Sequence, residues 1–236
     1  MNVHDLIADP PMLHGDAGEL IARWRLADAE LVFLDRHLRA GMKTLETGSG
    51  VSTVLFALKG TRHTCITPNR EEPARIQTYC DQHGIGHAGI NFITERSEYV
   101  LPVLREQDFD LALIDGRHGF PTPFLDWFYI AGMLKTEGLL MIDDLHIWTA
   151  ELLKQFLLAE AGWKLMGETG RAAVFLKLDD SAQKKEWGDQ PYVFRRSRAG
   201  SVWGKLRYLV GALQRGDLGP FRRALQTSAR RLKRSL

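Results

Sequence analysis

An α/β protein with a doubly wound, mainly parallel sheet is what this sequence predicts, and three observations carry that expectation. From Lys43 onward, short apolar runs alternate with helix-like stretches. Several of the runs end in glycine or an acidic residue, as strands do where they meet a ligand-bearing edge. With 236 residues and 44% hydrophobic composition, the chain can also bury a substantial core.

The elements follow in order. In "GELIARWRLADAELVFLDRHL", Leu20, Ile21, Trp24, Leu31, Phe33, Leu34 and Leu38 recur at roughly helical spacing, so residues 17–40 read as one or two helices ahead of the sheet. Strands are expected at "KTLETG" (43–48), "HTCITPN" (63–69), "INFITE" (90–95), "FDLALIDG" (109–116), "GLLMIDD" (138–144) and "AAVFLKL" (172–178). Helices are expected at 51–59, 70–83, 97–105, 122–134 and 149–161, each opened by a polar, acidic or proline residue near its start. "LDDSAQKKEWGDQP" marks a boundary, which gives an N-terminal helical lid (1–40), a main domain (41–180) and a tail (181–236).

Charge divides at the same boundary. Residues 1–180 hold 17 Lys and Arg against 26 Asp and Glu, a balance of −9, whereas residues 181–236 hold 14 against 3, a balance of +11. Val202, Leu206, Leu209, Val210 and Leu213 fall on one helical face of "SVWGKLRYLVGALQ", and "FRRALQTSARRLKRSL" repeats the pattern with Phe221, Leu225 and Leu232. Both read as basic amphipathic helices, suited to an anionic lipid surface, to a protein partner or to packing on their own domain; nucleic acid is the less expected partner. Cys65 and Cys80 are too few for a disulfide framework and read as buried thiols of a reducing compartment. The start, "MNVHDLIADPPMLHGD", lacks the basic and apolar regions of a signal peptide, and no run of eighteen apolar residues occurs, so a cytoplasmic protein with at most peripheral membrane contact is expected.

In "KTLETGSGVST", Gly48 and Gly50 form a turn from strand into helix, where a close backbone approach and the exposed N–H groups of the helix start favour electron-rich ligand groups. A nicotinamide dinucleotide is disfavoured, because Thr53 stands at the third glycine position and "CITPN" carries no acid at its tip. Asp115, Asp143 and Asp144 all fall at the carboxyl ends of strands. Three converging carboxylates repel unless a cation sits among them, which makes Mg²⁺ a sensible filler.

These residues resemble the class I S-adenosylmethionine-dependent methyltransferases with their Rossmann-like methyltransferase fold, and within them the small metal-assisted O-methyltransferases of catechol and macrolide-sugar type. The resemblance covers about residues 40–178. It implies cofactor binding at "LETGSG" and the helix start behind it: Glu46, Thr47, Gly48, Ser49, Gly50, Ser52 and Thr53, with Glu46 reaching the cofactor's amino group. "ITPNREE" is similar to the family's second-strand end but lacks the ribose-binding acid there, which leaves Thr67, Asn69, a later glutamate or water. "ERSEYVLPVL" is similar to the adenine-bordering stretch and implies Ser97 and Glu98, although Ser97 read by itself is a helix N-cap. Asp115, Asp143 and Asp144 match the family's metal ligands, with Asp115 also beside the cofactor.

His118 stands three residues after Asp115, where catechol-type enzymes place the base that takes the hydroxyl proton, and His146 is the reserve. Phe120 is expected on the acceptor pocket, with His14, Trp24 and Arg25 in a lid. The expected activity is methyl transfer to a small or glycan hydroxyl acceptor. Two other classes stay open: a non-catalytic scaffold recruited through the basic tail, and another enzyme on this fold, such as an aminopropyl transferase or a hydroxylase relative.

Overall fold

The computed structural model describes residues 1–14 and 25–214, which form two compact units, Met1–Lys185 and a unit beginning at Glu186. Trp24, Leu20 and Ile21 of the expected lid, and the expected helix with Phe221, Leu225 and Leu232, lie outside the described residues.

The first unit is a seven-stranded sheet in the order β3-β2-β1-β4-β5-β7-β6. Strands β1 (Lys43–Thr47), β2 (Arg62–Ile66), β3 (Ile90–Ile93), β4 (Phe109–Ile114) and β5 (Leu134–Ile142) run parallel. β7 (Ala172–Lys177) is antiparallel to both β5 and β6 (Trp163–Thr169). The order reverses between β1 and β4, so the crevice at the carboxyl ends of those strands is the topological switch point where such sheets bind ligands.

Helices α1 (Val3–Ala8), α2 (Asp28–His37), α3 (Val51–Leu58) and α4 (Glu72–Gln82) share one apolar core, in which Leu6, Leu31, Leu34, Val54, Phe56 and Ile76 are fully buried. Short α5 (Ser97–Val100) continues as a 3₁₀ turn, Leu101–Val103, and leads into β4. α6 (Thr122–Met133) and α7 (Trp148–Ala159) pack edge to face through Trp127 and Phe156, 5.1 Å between ring centroids. α8 (Ser181–Lys184) ends the unit, where Lys185 pairs with buried Glu160 at 2.8 Å.

The expected elements appear, with three differences. β6 escapes the sequence pattern because "WKLMGET" is a half-exposed edge strand with no continuous apolar run. α1 was hidden behind the prolines; Asn2 caps it, accepting from the backbone N–H groups of His4 and Asp5. The helix expected at 97–105 breaks after one turn because Pro102 has no amide proton to donate. In the second unit α9 (Pro191–Gln214) is a single helix, and no helix among the described residues is long and apolar enough to cross a membrane.

Candidate functional site

The switch point opens into a cavity of about 930 Å³. Its geometry is set by one close approach. Gly48 has φ +94°, and a Cβ there would lie 2.2 Å from the carbonyl oxygen of Asp115, so only glycine lets the β1 turn press against the end of β4. Backbone bonds tie the strand ends in sequence, Asp115 N–H to Thr47 O at 3.0 Å and Asp143 N–H to Ile114 O at 3.0 Å. The glycine turn and the three aspartates therefore border one cleft.

Of the residues expected around the turn, Thr47, Gly48 and Ser49 reach the wall, and Glu46, Gly50, Ser52 and Thr53 do not. Glu46 is 1% exposed and points inward, accepting hydrogen bonds from Ser52 Oγ (2.8 Å) and Thr53 Oγ1, with His63 Nε2 at 3.1 Å. Glu46, expected at the cofactor's amino group, therefore lies off the cavity wall with Ser52 and Thr53 donating to it. Thr53 Oγ1 in turn accepts the Gly50 N–H at 3.0 Å, and the Cys65 thiol donates to Gly48 O at 3.3 Å. Burial first, then the Glu46 charge, pushes the Cys65 thiol well above its ordinary value, which keeps it neutral. The cluster holds the turn from behind.

The β2 side supplies an acid the motif comparison lacked. Glu72, the first residue of α4, accepts from Ser49 Oγ, Thr67 Oγ1 (2.9 Å), Asn69 Nδ2 (3.1 Å) and His14 Nδ1 (3.0 Å), and all five residues line the cavity. Burial alone would raise its pKa, but the hydrogen bonds from His14, Ser49 and Thr67 outweigh it and hold the carboxyl below the usual value. Only "a later glutamate" was legible in sequence; the turn at Pro68–Asn69 brings Glu72 back under Thr67.

Ser97 and Glu98 line the cavity beyond β3, where the Arg117 guanidinium lies 3.6 Å from Glu98. Ser97 is the first residue of α5 and not its N-cap, which is Arg96. Its hydroxyl, with that of Thr47, faces the fully buried Asp126 of α6 without closing a hydrogen bond of good geometry. Burial raises the Asp126 carboxyl to about 6.

At the β4 and β5 ends, His118 Nε2 lies 3.2 Å from Asp144 and 3.7 Å from Asp115. Asp144 also meets His146 Nδ1 and Arg171 Nη1, each at 3.5 Å. Donor atoms of Asp115, His118 and Asp144 lie within 4.8 Å of one another, close enough to share an ion. Asp143, expected as a third carboxylate ligand, borders the cavity but is not in that trio; it is 2% exposed, its Oδ1 without a hydrogen-bond partner among the described residues. Burial, then the charge of Asp115, pushes the Asp143 carboxyl up to about 8. Asp115 is raised by burial too, against the opposing pull of His118. Burial would lower His118, but Asp115 and Asp144 raise it above the ordinary imidazole value.

His14 and Arg25, expected in a lid, line the cavity, and His146 does as well. Phe120 does not; it is 67% exposed and off the wall.

Comparison with known proteins fits this geometry. Residues 45–145 match the family model described as a methyltransferase domain. No curated protein matches the chain. Among solved structures, the O-methyltransferase TomG from Streptomyces achromogenes, involved in tomaymycin synthesis and solved with S-adenosylmethionine, aligns with a TM-score of 0.56 at 14% identity, over 67% of this chain and 84% of that one. Cofactor-bound Rv0187 from MTB aligns with a TM-score of 0.51 at 14% identity, over 58% and 73%. Residues 45–145 thus resemble a methyltransferase domain, and the sheet that carries them has the Rossmann-like methyltransferase fold.

Proposed function

We propose that the protein is a class I S-adenosylmethionine-dependent methyltransferase that methylates a hydroxyl of a small or sugar-like acceptor with help from a divalent cation such as Mg²⁺. The observation that carries this reading is the seating of Gly48 against Asp115, which makes one cavity of a cofactor wall and an acid cluster. Along that wall, the backbone at Gly48 and Ser49 suits the amino-acid end of the cofactor. Glu72, with Thr67 and Asn69, suits the ribose hydroxyls, and Ser97 with Glu98 suits the adenine edge. When bound, the cofactor supplies an electrophilic methyl on a sulfonium centre. The protein's task is then chiefly in-line positioning.

At the other end, Asp115 and Asp144 suit an oxygen-loving ion, which would polarise the acceptor hydroxyl as a Lewis acid. The fit rests on the orphaned Asp143 oxygen and on the convergence of Asp115, His118 and Asp144 within a distance an ion could share. Flanked by Asp115 and Asp144, His118 favours the imidazolium form; once their charge is engaged, its neutral Nε2 can take the hydroxyl proton. The scaffold reading drew on a missing ribose-binding acid; Glu72, on the cavity wall beside Thr67, supports the enzyme reading instead.

Calorimetry with S-adenosylhomocysteine should show binding by the purified chain; no heat from folded protein overturns the reading. Transfer of labelled methyl to hydroxyl acceptors should stop with chelator. If activity survives chelation, the transferase stands and the cation falls.

A further inference from the structure

We propose that α9 is an interfacial helix that seats the protein on an anionic lipid bilayer. Its 24 residues carry five basic side chains (Arg195, Arg196, Arg198, Lys205 and Arg207) and no acidic one. A helix that is merely solvated can mix charge signs at its surface. Here a single sign is kept throughout, and in residues 215–236 seven Lys and Arg face one acid, Asp217.

Charge alone would suit any polyanion, and the apolar residues narrow the choice. Trp203, Leu206, Val210 and Leu213 follow i, i+3, i+7, i+10 spacing, which confines them to an arc of about 80° at 3.6 residues per turn. All four are exposed, Trp203 by 60%. The stripe belongs to the second half of the helix only. Over its full length α9 has no single apolar side; the amphipathic pattern expected from sequence concerned residues 201–214. The first half instead carries the arginine group, with Arg196 stacked over Tyr192 and Arg198 over Phe194, each 5.4 Å from the ring centroid.

A phosphodiester backbone satisfies arginines but gives aliphatic side chains nothing to bury against. A bilayer interface satisfies both, through lipid phosphate for the basic half and acyl-chain boundary for the stripe, and indole favours that depth. No helix among the described residues can span, so the contact would be peripheral. Residues 1–180, at −9, would be repelled by the same surface, which leaves the tail to make the attachment.

The test is sedimentation of the full chain with phosphatidylcholine vesicles, with and without phosphatidylserine. Binding should strengthen roughly tenfold or more with the anionic lipid and weaken with salt. Trp203 emission should shift to the blue, a change lost in Trp203→Phe. Leu206→Asp and the pair Arg196→Glu, Arg198→Glu should each weaken binding by about tenfold, with S-adenosylhomocysteine heat unchanged. Three outcomes overturn the proposal: no association with either vesicle, equal association with both, or tighter binding to RNA or an acidic peptide that Leu206→Asp leaves unaltered. Because vesicle binding is read apart from cofactor heat, its failure is separate from failure of the transferase reading.

Discussion

Glu46 and Asp143 are carboxylates at the ends of β1 and β5, 1% and 2% exposed, and their surroundings could hardly differ more. Glu46 has Ser52, Thr53 and His63 around it, so its burial is compensated within the fold. Asp143 has an oxygen without a partner among the described residues and a second acid, Asp115, raising its pKa. Equal burial with opposite satisfaction separates a carboxylate that holds the structure from one whose burial the fold leaves uncompensated. The β1–β2 side braces the glycine turn. The β4–β5 side crowds buried acids together.

The sharpest break would come at the joint between the two. Gly48→Ala puts a methyl into the Asp115 carbonyl at a left-handed φ, and should cost about 3 kcal/mol of stability or more and abolish S-adenosylhomocysteine binding, read by thermal melting and calorimetry. Glu46→Ala should follow at about 3 kcal/mol in denaturant melts, since it strands Ser52, Thr53 and His63 in the core. Asp143→Asn should go the other way in chelated buffer: neutral or stabilising by about 1 kcal/mol in the same melts, with catalysis lost. If both acids destabilise alike when replaced, the contrast between them is wrong.

A pH series sharpens the same point. The folded-state pKa of Asp143, about 8, exceeds its unfolded value, so the proton it holds stabilises the fold fully below the unfolded pKa. That contribution is lost as pH rises from the unfolded pKa through about 8. Without divalent ions, wild-type stability should fall over that window relative to Asp143→Asn, and added Mg²⁺ should remove the difference near pH 8. Parallel curves would reject it. The smallest effect belongs to Arg171→Ala: with a half-exposed guanidinium 3.5 Å from Asp144, it should change stability by about 0.5 kcal/mol or less in denaturant melts.

Legibility in the sequence followed physical locality. Strands β1 to β5 and the antiparallel but buried β7 announce themselves as short apolar runs, whereas β6, wetted on one face, does not. Gly48, Asp115, Asp143 and Asp144 stand out because turn chemistry and strand-end acids are local patterns. Glu72 was hidden, because its place on the cavity depends on how Pro68–Asn69 folds it under Thr67. The inward turn of Glu46 was equally hidden, since it depends on His63 across the sheet and on Ser52 and Thr53 one helical turn away.

By itself, then, the sequence determined the alternation of elements, the glycine bend, the strand-end aspartates and the split of charge between body and tail, all properties that neighbouring residues settle among themselves. Which carboxylates face the cavity, which are sealed behind it and which histidine stands between two of them was decided only by the tertiary structure. The reason is electrostatic: a buried charge is set by partners brought together from distant parts of the chain, and their distances exist only once the sheet has formed.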